Sequence, residues 1–155
     1  MQDENDVFLQ VKKWCLEANL FKTKLPNKEN ISWAMELSYP FNHPMPISII
    51  VLNYINADFI SMQVSIKMCP EYYEEFVART SDNVESFYFE LQKMLLEKEL
   101  DFNVNVDIAS WNIFDTIYFD GLTKNELFKS FRRIYGSVLL GNMILGKIMH
   151  QRITG

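Results

Sequence analysis

The sequence predicts an α+β protein of one domain, residues 1–155, with a mainly antiparallel five-stranded sheet and helices packed chiefly on one face. Two observations support this class. Near both ends of the chain, apolar residues recur at three- and four-residue intervals, which is typical of amphipathic helices. Between the ends, several segments alternate apolar and polar residues, which is the period of a half-buried strand. The predicted order of elements is α-β-β-β-α-β-β-α.

Composition limits the possible functions. The chain has 155 residues, of which 48% are hydrophobic, and this length can bury a sizeable core in one domain. The net charge of −5 provides no basic field, so we expect no nucleic-acid partner. Polar residues interrupt every apolar stretch before it reaches the ~20 residues of a membrane span. The start "MQDENDVF" is acidic, unlike a signal peptide, and we expect a cytoplasmic protein.

The first helix is predicted by apolar residues that share one face over about four turns. Its acidic start suits the positive end of a helix dipole. The residues of this face are Val7, Phe8, Val11, Trp14, Cys15 and Ala18.

Three strands follow in the predicted order. Residues 31–39 alternate in period two, and the three prolines of "PFNHPMP" at 40–46 then break the chain. Residues 47–55 are apolar in both alternating registers. After the short turn at 56–58, residues 59–68 alternate most regularly and predict the third strand.

The second half of the chain predicts helices and two further strands. Pro70 suits a first helical position, and this short helix ends or bends near Thr80. Ser81 or Asp82 can then cap a second helix that runs to about residue 98.

The remaining elements follow from alternation and from a capping pattern. Phe102, Val104, Val106 and Ile108 alternate as a fourth strand, and residues 113–119 predict a fifth. Thr123 and Glu126 have the spacing of a capping box for a last helix that ends near Gln151.

The last helix has apolar residues on two opposite sides. Its core face is predicted to be Leu127, Phe131, Ile134, Val138, Gly141, Leu145 and Ile148. The opposite side of its second half carries Gly136, Leu139, Leu140 and Met143, and a helix that is apolar on both sides is buried on both sides. We expect a subunit or partner interface there, most simply a twofold homodimer. The alternative is that the first helix or the 81–98 helix covers this side.

A second apolar surface is predicted on the face of the sheet that the helices leave open. The second strand places either Ile50, Leu52 and Tyr54 or Ile49 and Val51 on that face. The fifth strand adds either Phe114 and Tyr118 or Ile113 and Ile117. In each register, apolar side chains face away from the helices and are available to a partner.

No motif in the sequence predicts catalysis, a cofactor or a metal site. Residues 101–107 resemble the start of a calcium loop, but Val106 stands where glycine is needed. Cys15 and Cys69 are expected to be buried, unpaired thiols in a reducing compartment. His43 could serve as a general base only if a carboxylate lay beside it.

The order of elements resembles that of the secretion-chaperone-like superfamily, which includes the type III secretion chaperones. "IYFDGLTKNELF" at 117–128 is similar to the segment that leads into the last helix in uncharacterised, largely archaeal relatives of that fold. The resemblance implies a homodimer that binds segments of another protein, and it carries over no catalytic residues. Nothing in the sequence points to a secretion apparatus.

Two hypotheses about function follow. The first is a non-catalytic homodimer that holds a helix or an extended segment of a partner protein. The second is a small enzyme or ligand-binding sensor with a pocket near residues 40–46 and His43. A pocket that holds His43 and a carboxylate would favour the second, whereas a broad exposed apolar patch would favour the first.

Overall fold

A computed structural model describes residues 3–79 and 84–154. Its helices are α1 Glu4–Glu17, α2 Pro70–Arg79, α3 Val84–Glu97 and α4 Lys124–Thr154. Its strands are β1 Phe21–Lys24, β2 Ile31–Tyr39, β3 Ile47–Tyr54, β4 Phe59–Lys67, β5 Asp101–Asn105 and β6 Ser110–Tyr118. The predicted α+β class is confirmed.

The six strands form an open sheet in the order β1-β2-β3-β4-β6-β5. The pairs β1–β2, β2–β3 and β3–β4 are antiparallel. The prediction of five strands is wrong, because β1 was missed. This edge strand has only four residues, "FKTK", and three of them are exposed, so no apolar alternation reveals it.

Two compact units make up the chain. The first contains Met1–Val64 and Phe114–Arg132, and the second contains Ser65–Ile113 and Arg133–Gly155. Strands β4 and β6 and helix α4 each contribute residues to both units. The organisation of the whole chain as one domain stays a prediction.

In the first unit, α1 and the start of α4 pack on the same face of the sheet. Trp33 of β2 donates a hydrogen bond from Nε1 to the carbonyl oxygen of Glu4 in α1, at 3.1 Å. Ser130 of α4 donates from Oγ to Oδ2 of Asp115 in β6, at 2.8 Å, and this bond is buried. The ring of Phe131 lies 6.0 Å from that of Tyr39. This face therefore carries the core of the unit.

Polar side chains cap the starts of α1 and α4, and the sequence predicts this role for Thr123 but only an acidic first turn for α1. Asp3 accepts a hydrogen bond from the amide of Asn5 through Oδ1, at 3.3 Å. Thr123 accepts one from the amide of Glu126 through Oγ1, at 3.1 Å. These caps satisfy amides that have no acceptor within the helix. The predicted caps Ser81 and Asp82, and the bend near Thr80, lie outside the described residues.

The second unit has an aromatic core. The ring of Phe87 in α3 lies 5.7 Å from that of Phe76 in α2, 5.1 Å from that of Tyr88 and 5.7 Å from that of Trp111 in β6. Helix α4 approaches α3 at Gly141, where a Cβ atom would lie 3.4 Å from Leu91. At Gly141, the second half of α4 therefore lies against another helix of the same unit.

The strand predicted over 102–108 is shorter than expected. Strand β5 ends at Asn105, and Val106–Ile108 forms a 3-10 turn. Val106 and Ile108 are 46% and 51% exposed, so their alternation reflects no buried face. Ala109 then adopts a left-handed conformation, with φ of 49°, that reverses the chain before β6.

Candidate functional site

Strand register decides which residues of β3 lie on the open face of the sheet. Ile49 and Val51 are fully buried on the face that the helices cover. Ile50 pairs with Gln63 of β4 and Leu52 pairs with Ser61. Directly paired residues lie on the same face of a sheet. Ile50, Leu52 and Tyr54 therefore lie on the open face, beside the polar side chains of β4, which is the first of the two predicted registers.

Three aromatic rings lie side by side on this open face. The Phe59 ring centroid lies 6.3 Å from that of Tyr54 and 5.6 Å from that of Tyr118. Gln63 donates from Nε2 to the Tyr54 hydroxyl at 3.3 Å and to the Ser61 hydroxyl at 3.1 Å. We call the following residues the open-face patch: Ile50, Leu52, Tyr54, Phe59 and Tyr118.

The aromatic side chains form the accessible part of the open-face patch. Tyr118 is 55% exposed and Tyr54 is 38% exposed, whereas Ile50 is half-buried and Leu52 is only 5% exposed. Phe59 was not among the residues predicted for this surface. The alternation of β4 could have identified it, since Phe59 has the same parity as Ser61 and Gln63.

Polar residues border the open-face patch on β2 and β3. Glu36 pairs with Ile50 and accepts hydrogen bonds from the Ser48 hydroxyl at 2.7 Å and from the Lys22 ammonium at 3.2 Å. The hydrogen bond from Ser48, followed by that from Lys22, lowers the pKa of the Glu36 carboxyl. The open face of the first unit thus has an aromatic part beside a charged, hydrogen-bonded part.

The second predicted surface is the outward side of α4. The predicted core face is confirmed, since all seven of its residues are buried. On the opposite side, Met143 is 66% and Leu139 is 44% exposed, while Leu140 and Gly136 are half-buried. We call Gly136, Leu139, Leu140 and Met143 the α4 stripe. Another helix of the chain can therefore cover only Gly136 and Leu140, the two half-buried residues of the stripe.

Helix α3 carries an exposed apolar pair that the sequence analysis missed. Phe89 and Leu96 are both 66% exposed and border a cavity of about 410 Å³. They are seven residues apart, which places them on one side of the helix. A helical projection of residues 84–97 would have shown that they lie opposite the buried residues of α3.

His43 lies in the loop between β2 and β3. The imidazole is exposed, and Nδ1 accepts a hydrogen bond from the amide of Met45, at 3.1 Å within its own loop. The carboxylate of Glu36, in the strand before this loop, accepts hydrogen bonds from Ser48 and Lys22. Within the described part of the chain, no group of three His, Cys, Asp or Glu side chains could hold a metal ion.

The two cysteines differ in environment, and the prediction that both are buried is wrong for one of them. Both are free thiols, with Cys15 fully buried and Cys69 exposed. Burial raises the pKa of the Cys15 thiol to about 12, because a thiolate on the buried side of α1 would be poorly solvated. Cys69 lies between β4 and α2, and its apolar neighbours in sequence did not reveal this position.

We predict that one thiol of the native protein reacts rapidly with Ellman's reagent and that the other reacts only after unfolding. Cys69→Ser should remove the rapid phase, and Cys15→Ala should keep it. Rapid reaction of two thiols per chain in the native protein would contradict this assignment. The unfolded thiol ionises near pH 9.0 and the folded one near 12, so the stability that Cys15 contributes should be lost as the pH rises through this range.

None of the described helices contains a segment long and apolar enough to cross a membrane. This finding includes α4, which has 31 residues and is therefore about 46 Å long.

Sequence comparison assigns the chain to a family. The profile described as "Uncharacterized conserved protein (DUF2299)" matches residues 9–145, which is most of the chain. The chain belongs to the DUF2299 family. None of the curated proteins matches it in sequence.

Solved structures resemble this member of the DUF2299 family in fold. An uncharacterised protein from Methanothermobacter thermautotrophicus is 21% identical, with a TM-score of 0.80 over 91% of this chain and 97% of that chain. The ExsC–ExsE complex matches at 9% identity with a TM-score of 0.53, over 93% and 97% of the two chains. YbjN from E. coli matches at 12% identity with a TM-score of 0.44, over 93% of each chain. The predicted resemblance to the secretion-chaperone-like fold is confirmed.

Proposed function

We propose that this protein is a non-catalytic protein-binding module that works as a homodimer and holds a helix or an extended segment of a partner protein. The observation that carries the proposal is the open-face patch. Tyr54, Phe59 and Tyr118 form a row of rings on a sheet face that the helices of the first unit leave open. Exposed aromatic clusters are enriched where proteins bind one another, because each ring buries a large area with few rotatable bonds.

The border of the patch suits a polypeptide partner. The tyrosine hydroxyls can accept or donate hydrogen bonds, and the Glu36 carboxylate lies on the same face of the sheet. A partner segment could therefore bury apolar side chains on the rings and satisfy its polar groups at the border. One solved structure with this fold is a complex of two proteins, ExsC and ExsE, and this agrees with the proposal.

The α4 stripe supports the homodimer. Leu139 and Met143 project from the side of α4 opposite its buried residues. A twofold axis across this side would bring the same residues of two chains together and bury both copies. Gly136 has no side chain, so a second helix could approach closely at that point.

The protein-binding role is tested by purification from the native host and mass spectrometry. The tagged protein is compared with Tyr118→Glu, which places a charge in the open-face patch, and with Asn103→Glu, which places one on the polar side of β5. We expect the same partner with the unchanged protein and with Asn103→Glu, and a loss of about tenfold or more with Tyr118→Glu. Equal recovery with all three proteins would refute the role of the patch.

A further inference from the structure

A positively charged stretch of the first unit includes the end of α1, all of β1 and the start of the loop that follows. Residues 12–28 contain five lysines, a single glutamate and no arginine, although the whole chain has a net charge of −5. Glu17 pairs with Lys124 at 3.4 Å, and Lys22 pairs with Glu36 at 3.2 Å. Four lysines of the stretch form no ion pair with the residues that the structure describes, namely Lys12, Lys13, Lys24 and Lys28.

Aromatic rings hold two of these lysines close to each other. Lys24 pairs with the fully buried Met35 of β2, so it lies on the side of the sheet that α1 covers. Its Nζ lies 5.1 Å from the ring centroid of Phe8 in α1. The Nζ of Lys12 lies 6.0 Å from the same centroid and 5.3 Å from that of Phe21 in β1. The rings attract both ammonium groups, which therefore lie near one ring without a counter-charge.

The side of α1 that faces away from the core carries exposed apolar residues between lysines. Leu9 is 60% and Leu16 is 51% exposed, and their spacing of seven residues places them on one side of the helix. At about 100° per residue, the directions of both leucines fall between those of Lys12 and Lys13. Asp6 borders this side next to Lys13. We call the following residues the α1 surface: Leu9, Lys12, Lys13, Leu16 and Lys24.

The composition of the α1 surface suits an anionic bilayer better than a protein partner. The centres of protein interfaces are enriched in arginine and aromatic side chains and depleted in lysine, whereas every cation of this surface is a lysine. Clusters of four or more basic residues on an amphipathic helix are typical of binding to anionic lipid headgroups. Exposed leucines beside them can enter the boundary between headgroups and acyl chains.

We propose that the α1 surface binds the surface of a membrane that contains anionic lipids. The lysine ammonium groups contact the anionic headgroups, while Leu9 and Leu16 enter the boundary beneath them. Helix α1 then lies in the plane of the membrane and does not span it. The proposal does not rest on the protein-binding role, since the α1 surface shares no residue with the open-face patch or the α4 stripe.

Sedimentation with sucrose-loaded vesicles tests the proposal on the full-length protein. We expect binding to vesicles of equal parts phosphatidylserine and phosphatidylcholine, and binding at least about tenfold weaker to phosphatidylcholine alone, because each lysine near an anionic surface contributes about fivefold in affinity. Added salt should weaken the binding, since it screens the charges. Equal binding to the two kinds of vesicle, or no binding to either, overturns the proposal.

Charge variants locate the site on the protein. Lys12→Gln with Lys24→Gln should weaken binding to the anionic vesicles about twentyfold and keep the circular dichroism spectrum of the unchanged protein. Lys93→Gln with Lys147→Gln removes the same charge from exposed positions of the second unit, and it should leave the affinity unchanged. If the two double variants lower the affinity alike, the α1 surface is not the site.

The exposed leucines distinguish a bilayer from an acidic polypeptide. Leu9→Gln with Leu16→Gln changes only exposed side chains, and it should weaken binding to the anionic vesicles about tenfold. Soluble poly-glutamate offers negative charge without an apolar layer, so it should bind more weakly than the vesicles per negative charge and should not respond to this variant. Tighter binding of poly-glutamate than of the vesicles would identify an acidic protein as the partner and overturn the proposal. Unchanged vesicle binding by the leucine variant would overturn it as well.

Discussion

Replacing both Leu140 and Met143 with Asp is expected to convert a dimer of this protein into a folded monomer. Met143 is 66% exposed in the isolated chain and Leu140 is half-buried, so the core of the monomer can tolerate the charges. In a twofold interface, four carboxylates would instead be buried against one another. Charges that lose water without gaining a partner cost several kcal/mol, so the dimer should weaken at least ~100-fold.

Sedimentation velocity and circular dichroism together decide the outcome. The double variant should sediment as a monomer and keep the helical signal of the unchanged protein. As a control, Asn125→Asp with Asn142→Asp adds the same two charges to α4 at exposed polar positions, and it should remain a dimer. If the Leu140 and Met143 variant keeps the native oligomer, the α4 stripe is not the interface, and global unfolding would show that it is core.

The largest loss of stability is expected from Phe131→Ala. Phe131 is fully buried. Its ring centroid lies 5.9 Å from that of Phe128 and 6.0 Å from that of Tyr39. Removing the ring loses the free energy gained by burying its apolar surface. It also leaves a cavity that the packed sheet and helix cannot fully close. The free energy of unfolding should fall by about 3–5 kcal/mol, measured by urea denaturation.

Leu139→Ala is the matched control for this loss, since it shortens another apolar side chain of α4. Leu139 is 44% exposed, so the free energy of unfolding should change by less than about 1 kcal/mol in dilute solution. Similar losses for the two variants would mean that the two sides of α4 are buried alike, contrary to the structure.

Most of the elements could be predicted because their residues repeat with a clear period. In α4, the spacing of apolar residues alone identified the side that is buried, from Leu127 to Ile148. The alternation over residues 31–39 likewise corresponds to a buried face of β2 that contains Trp33, Met35 and Leu37. A helix or strand exposes a fixed set of positions to each side, so one buried side leaves its period in the sequence.

Cys69 and Phe59 were not predicted correctly because neighbours distant in sequence set their surroundings. Cys69 follows an apolar strand, yet it is exposed at the boundary between β4 and α2. Phe59 belongs to the open-face patch because β6 brings Tyr118 beside it. The alternation of β4 could place Phe59 on the open face, but no local period shows the exposure of Cys69 or the contact between Phe59 and Tyr118.

The sequence by itself determined the α+β class, the inner side of α4 and the presence of apolar residues on two sides of β3. Only the tertiary structure decided which side of β3 is open, because Ile49 and Val51 are as apolar as Ile50 and Leu52. Pairing with Gln63 and Ser61 settled that choice. The structure alone also revealed β1, because backbone hydrogen bonds to β2 hold this edge strand in place. Its four residues are mostly exposed, so they show no apolar alternation in the sequence.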